Sequence, residues 1–128
     1  MTEWTSDELA KIGTAAELEL ASARRDGTLR NPRTIWVVRV GDDLYVRSMY
    51  GRGGGWFPGT QARQEGHIRA GGVDKDVAFA DADPDLNDQI DAAYRDKYRR
   101  YGPSIIGGVV NPGARAATIK LMPRSTTS

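Results

Sequence analysis

Hydrophobic and polar positions along this chain repeat with two different periods. From Leu44 to Met49 the period is two: Leu44, Val46 and Ser48 share one face and Tyr45, Arg47 and Met49 the other, as in a strand. Just upstream, Thr34-Ile-Trp-Val-Val-Arg-Val40 is β-branched, aromatic and nearly continuous, which predicts one strand buried on both faces over part of its length. Gly41-Asp-Asp43 turns it into the next strand as a hairpin. Glu17 to Ala23 alternates Leu18 and Leu20 with Glu17 and Glu19, again the pattern of a half-buried strand. His67 to Ala70 and Val73 to Ala80 flank Gly71-Gly72, a tight hairpin turn. A last strand is expected over Ala114 to Met122, where Ala117, Ile119 and Leu121 alternate.

Helical spacing occupies three other stretches. Thr5-Ser-Asp-Glu8 has the form of a capping box, and Leu9 and Ile12 follow on one face, giving a short helix that ends near Gly13. Phe57 to Glu65 favours helix after Pro58-Gly59. Asp83-Pro84 supplies an N-cap and a first-turn proline, and Leu86, Ile90, Ala93, Tyr94, Lys97, Tyr98 and Tyr101 recur every three or four residues until Gly102-Pro103. Six short strands with mostly tight connections favour an α+β chain built on a six-stranded antiparallel barrel rather than a βαβ sheet. A single domain over 1–128 is expected, with an N-terminal helix over 1–14, a barrel core over 17–123 and a flexible polar tail over 124–128.

Composition narrows the chemistry. Hydrophobic residues make up 39% and charged residues 27%, which suits a globular core rather than disorder. A net charge of +1 gives no reason to expect nucleic acid as partner. No apolar run approaches a membrane span and the N-terminus is acidic, so the expectation is a cytoplasmic protein. The absence of cysteine removes disulfides, thiolate nucleophiles and cysteine-based metal sites. The single histidine, His67, has no Asp or Glu beside it at ligand spacing and reads as an ordinary strand residue, so no metal is expected. With protein-borne acid, base and redox groups so sparse, an enzyme here would draw its chemistry from an organic cofactor.

One segment stands out. Strand Leu44 to Met49 runs into Gly51, Gly53, Gly54 and Gly55 and ends on Trp56. Glycines let backbone N–H groups come close to a ligand. Arg47 and Arg52 present forked donors suited to phosphate or carboxylate oxygens. The combination reads as a seat for an anionic, aromatic small molecule; a glycine-rich surface hairpin is the plainer alternative. Trp36 lies in an apolar strand and reads as core, whereas Trp56 closes a polar loop and reads as pocket lining. Lys75, between Asp74 and Asp76, is a second anion contact or part of a solvated strand face, and Arg95, Lys97, Arg99 and Arg100 read as a solvated helix face.

Four segments resemble the split β-barrel flavin-binding proteins, in particular the deazaflavin-dependent nitroreductase-like branch. They are Gly27-Thr-Leu-Arg-Asn-Pro32 before the Trp36-Val-Val strand; Asp42-Asp-Leu-Tyr-Val-Arg-Ser48 with its glycines and Trp56; Ile68-Arg-Ala-Gly-Gly72; and Ala93-Tyr94 through Tyr101 with Ala117-Thr-Ile-Lys-Leu-Met-Pro123. Together they cover roughly residues 17 to 123. The chain also resembles an uncharacterised family, domain of unknown function 2255. The resemblance implies a homodimer with FMN or a deazaflavin in the dimer groove. By position, Arg30, Arg47 and Ser48 with the Met49–Gly55 backbone, Gly51 and Arg52 included, would hold the cofactor's phosphate and Trp56 would line the pocket. Tyr94, Tyr98 and Tyr101 would fall on the substrate side; their spacing reads first as packing against the barrel, and the alternative is that Tyr98 or Tyr101 with a free hydroxyl serves as proton donor. The chain departs from the family pattern in a shorter loop, in Met49 where a basic residue is common, and in Pro58-Gly59 after the tryptophan.

The leading expectation is therefore a small oxidoreductase that uses FMN or a deazaflavin to reduce a conjugated small molecule. The alternatives are a cofactor-independent isomerase or cyclase on the same barrel, in a biosynthetic pathway, and a small-molecule-binding protein without chemistry.

Overall fold

A computed structural model of the protein describes residues 3–49 and 51–124. The polar tail expected over 124–128 lies, beyond Arg124, outside the described residues, as does the start of the N-terminal helix segment. The chain runs α1 (Ser6–Thr14), β1 (Leu18–Ser22), β2 (Arg33–Ile35), β3 (Val38–Val40), β4 (Asp43–Arg47), α2 (Phe57–Arg63), β5 (Glu65–Ala70), β6 (Val73–Asp81), α3 (Asn87–Lys97), α4 (Pro103–Val110), α5 (Pro112–Ala116) and β7 (Thr118–Pro123). Short 3-10 turns at Pro84–Leu86 and Arg99–Tyr101 flank α3. The α1 capping box forms as its sequence predicts: the Glu8 N–H donates to Thr5 Oγ1 at 3.1 Å and the Thr5 N–H to Glu8 Oε1 at 2.9 Å.

All pairings in the sheet are antiparallel, and its order is β2-β1-β5-β6-β7-β4-β3. It holds seven strands, not six, because the apolar run 34–40 divides. Its halves sit at opposite edges of the sheet although only Trp36 and Val37 separate them. Ile35 and Val38 cannot lie more than about 11 Å apart, so the sheet curls into a half-barrel until its edges approach one another. The physical reason for the break is α3. The Tyr98 hydroxyl accepts from the Val37 N–H at 3.2 Å, and the Lys97 Nζ donates to the Val37 carbonyl at 2.7 Å. Side chains of a helix thus satisfy backbone groups that a neighbouring strand would otherwise have to pair. Lys97 is accordingly half-buried rather than part of a solvated face.

Two apolar layers result. Leu18, Leu20, Leu44, Val46, Ile68, Phe79 and Leu121 point inside the curl, together with Leu9 and Ile12 of α1. Outside it, Val38 and Tyr45 are covered by Ile90, Tyr94 and Tyr98 of the α3 stripe and by Ile106 and Val109 of α4. Helix α5 replaces the expected start of the last strand at Ala114, and α4 precedes it. Asn111 joins them. Its Nδ2 donates to the Gly107 and Gly108 carbonyls at 3.0 and 3.2 Å, and its Oδ1 accepts from the Ala114 N–H at 2.9 Å. One side chain thereby closes α4 and opens α5. None of the described helices is long and apolar enough to cross a membrane.

Candidate functional site

The strand that feeds the glycine loop carries Tyr45 and Arg47 outward, where α3 and α4 meet them. Arg47 is wholly buried and each of its guanidinium N–H groups has a partner. Nε donates to Thr118 Oγ1 at 2.9 Å, and Nη1 donates to Asp91 and to the Val109 carbonyl at 2.9 Å. Nη2 donates to the Asn87 carbonyl and to Asn87 Oδ1, both at 3.2 Å. Asp91 also binds Arg115, which reaches Asp88 at 2.8 Å. Burial alone would raise the Asp91 pKa; the hydrogen bonds from Arg115 and Arg47 outweigh it and hold the carboxyl below its ordinary range. Arg47 therefore fastens β4 to α3, α4 and β7, and its donors are committed to protein.

Three further residues of the glycine segment bond to the fold, while Gly53 and Gly55 are exposed. Ser48 is buried, its N–H donating to the Ala117 carbonyl at 3.1 Å and its carbonyl accepting from the Gly51 N–H at 3.3 Å. Gly51 holds φ +75°, a conformation that favours glycine. Arg52 donates to the Ala116 carbonyl at 2.9 Å, pairs with Asp81 at 3.7 Å and lies over the Phe57 ring. None of Arg47, Ser48, Gly51 and Arg52 lines the cavity that Arg30 lines, although Arg47, its N–H groups already bonded, borders a neighbouring one.

Arg30 lies elsewhere, in a cavity of about 460 Å³ that it lines with Arg24, Arg33, Asn31, Ser22 and Trp56. No Asp or Glu lines it. Among the described residues, Arg30 and Arg33 enter no ion pair, whereas Arg24 donates to the Leu29 carbonyl at 2.8 Å. Gly59 makes room here: a Cβ at that position would collide with the Ser22 hydroxyl and stand 3.1 Å from Arg30 Nε. A second cavity of about 290 Å³ shares Arg33, Gly55 and Trp56 with the first and continues past Ile35, Trp36, Met49 and Val109. Sequence reasoning placed Trp36 in the core. It does pack against the outer apolar layer, stacked on the Tyr98 ring at 4.0 Å with planes 4° apart, and is at the same time a half-buried wall of this cavity. Arg33 and Asn31 were missed. Their signal was a lack of acidic neighbours along Arg30-Asn-Pro-Arg33.

The two tyrosines singled out as acids have different surroundings. Tyr98 is buried; its hydroxyl donates to the Ala16 carbonyl at 2.9 Å, accepts from the Val37 N–H and is pushed up to about 12 in pKa, chiefly by burial. Tyr101 is 39% exposed, lies 5.2 Å from the Trp36 ring and accepts at its hydroxyl oxygen from Arg100 at 3.0 Å. Tyr94 is fully buried, and burial raises its pKa well above the usual value.

His67 has carboxylates after all, supplied across the β5–β6 hairpin: Asp76 at 2.7 Å from Nδ1, and Asp74 at Nε2. Burial lowers its pKa, but the bonds to Asp76 and Asp74 prevail and raise it. Lys75 neighbours an acid rather than an anion site, pairing with Glu8 at 2.8 Å. Among the described residues no group of three His, Asp or Glu side chains could hold a metal ion.

Comparison with known proteins now places this architecture. The family model described as "uncharacterized protein conserved in bacteria (DUF2255)" matches residues 8–121. The chain belongs to that family. No curated protein matches it. Among solved structures it is similar to one described as an F420 reductase, with TM-score 0.54 and 18% identity over 93% of each chain. It is also similar to an FAD-binding protein from Mesorhizobium loti, with TM-score 0.57 and 15% identity over 95% of this chain and 91% of that one. A conserved hypothetical protein from Mycobacterium tuberculosis matches with TM-score 0.65 and 10% identity over 98% of this chain and 83% of that one. At these identities the likeness is one of fold: this DUF2255 member has the split-barrel architecture that flavin- and deazaflavin-linked proteins also use.

Proposed function

We propose that this DUF2255 protein binds FMN or a deazaflavin in the double cavity and uses it to reduce a conjugated small molecule, as a homodimer. The observation that carries the reading is the charge and shape of the groove. Three guanidinium groups without a carboxylate line one end, two indoles wall the other, and Arg33, Gly55 and Trp56 join them. An anionic tail suits the first end and a flat ring the second.

When bound, such a cofactor supplies hydride chemistry. The protein's own part is binding, alignment and proton supply. Arg30 and Arg33 hold the tail by charge-assisted hydrogen bonds, and Trp36 and Trp56 fix the ring plane and exclude water. Tyr98 is a positioning residue, since its hydroxyl holds the Val37 backbone and, through the ring stack, Trp36. Tyr101 accepts from Arg100 and so keeps its own O–H available to donate a proton to substrate. The exposed Met49 and Tyr101 beside the second cavity support a site covered by a second copy.

Titration of the purified protein with FMN and with a deazaflavin, followed by tryptophan fluorescence and visible absorption, tests the reading. Saturable binding of one of them is expected, and no binding of either overturns it. A second reading, a carrier without chemistry, is favoured by the committed hydroxyl of Tyr98. Firm binding with no turnover of nitroaromatic or enone substrates selects it.

A further inference from the structure

Helix α4 has two adjacent glycines with different surroundings. A Cβ on Gly107 would meet nothing within 4 Å, while a Cβ on Gly108 would come 2.7 Å from Met49 Cε, closer than real carbon contacts allow. The Met49 methyl therefore rests on bare helix backbone at position 108. Met49 is also a wall of the 290 Å³ cavity and is 54% exposed. It lines that cavity together with Trp36 and Trp56.

The helix cannot easily retreat if that seat is filled. Arg47 binds the Val109 carbonyl, Asn111 binds the Gly107 and Gly108 carbonyls, and Ile106 and Val109 are buried. Methionine is the partner that yields, being unbranched and adaptable. Because Met49 lines the same cavity as both indoles, a methyl displaced along that wall narrows the space beside them.

We infer that Gly108 sets the width of the ring cavity: by receiving the Met49 methyl it admits a fused planar aromatic system, and any side chain at 108 converts the site to one that takes narrower guests. This rests on the reading of the groove as a ligand site and names the guest's ring size.

The test uses the full-length protein, Gly108→Ala and Gly108→Ala/Met49→Ala, with lumichrome, a flavin ring system without a tail, and indole as the narrower probe. Gly108→Ala is expected to bind lumichrome about tenfold or more weakly, the usual scale for one methyl in a tight pocket. Indole binding should change little, and the double variant should regain lumichrome. Equal lumichrome affinity in wild type and Gly108→Ala overturns the inference and leaves the proposed function standing. Failure of the wild type to bind any flavin probe removes the proposed function instead. In that case the methyl resonance of Met49 in protein labelled at the methionine methyl carbons, assigned with Met49→Leu, still decides. Gly108→Ala should move it upfield through the ring currents of the indoles, and an unmoved resonance overturns the inference without any ligand.

Discussion

Two sets of arginines in the first half of the sequence do opposite work. Arg47 is buried and all of its donors have acceptors within the fold, whereas Arg30 and Arg33 line an open cavity and form no ion pair among the described residues. Arg47 has the more suggestive sequence, at a strand end before a glycine loop. Arg30 and Arg33 sit in an unremarkable turn and edge strand. The difference teaches that a guanidinium is available to a ligand only where the fold has given it no carboxylate or carbonyl. That is a property of neighbours in space.

The comparison predicts its largest effect on stability at the buried centre. Asp91→Ala leaves Arg47 buried without its counter-ion and should cost about 3–5 kcal/mol in urea unfolding, while Arg30→Ala should stay within about 0.5 kcal/mol. The Asp91 pKa is lowered in the folded state, so its contribution is complete above the unfolded value near about 3.9 and is lost as pH falls through the folded value. Unfolding midpoints measured down to acid pH should show that loss in wild type and not in Asp91→Ala. Equal stability of the two variants would break the comparison.

Binding should show the mirror image. Removing Arg30 or Arg33 deletes charge-assisted bonds of about 1.5–3 kcal/mol each, so FMN affinity should fall at least about tenfold per residue and depend less steeply on salt. Flavin titrations of each variant at two ionic strengths measure both effects. Unchanged affinity would return the anion seat to the glycine loop.

A smaller contrast separates the tyrosines. Tyr98→Phe strands the Val37 N–H and should cost about 1–3 kcal/mol of stability, whereas Tyr101→Phe should leave stability within about 0.5 kcal/mol and lower turnover. If Tyr98→Phe instead stays fully stable and loses turnover, the roles are reversed.

The smallest effect belongs to His67, a partly exposed pair whose worth is under about 1 kcal/mol. Its pKa is raised in the folded state, so the stabilisation is full below the unfolded value near about 6.5 and is lost as pH climbs through the folded one. Stability of His67→Gln followed across that interval should lack this decline.

Much of the architecture was written in local patterns: the capping box at Thr5 and Glu8, the Gly71-Gly72 hairpin, the Ile90-Tyr94-Tyr98 stripe and the two faces of β4 all formed where periodicity put them. Local pattern works there because each element's stability depends on spacing along its own segment. It failed at 34–40, where α3 side chains cap Val37 and split one strand into two edges, and at 103–116. There, two helices with two adjacent glycines are held by Arg47, Asn111 and apolar burial rather than by propensity. The candidate site divides along the same line. Trp56 was legible as an aromatic closing a glycine loop, and Arg30 only through the family resemblance. The commitment of Arg47, the exposure of Arg33, the second wall at Trp36 and the seat of Met49 on Gly108 were decided by tertiary packing, because only the curled sheet determines which donors find acceptors inside and which are left facing a cavity.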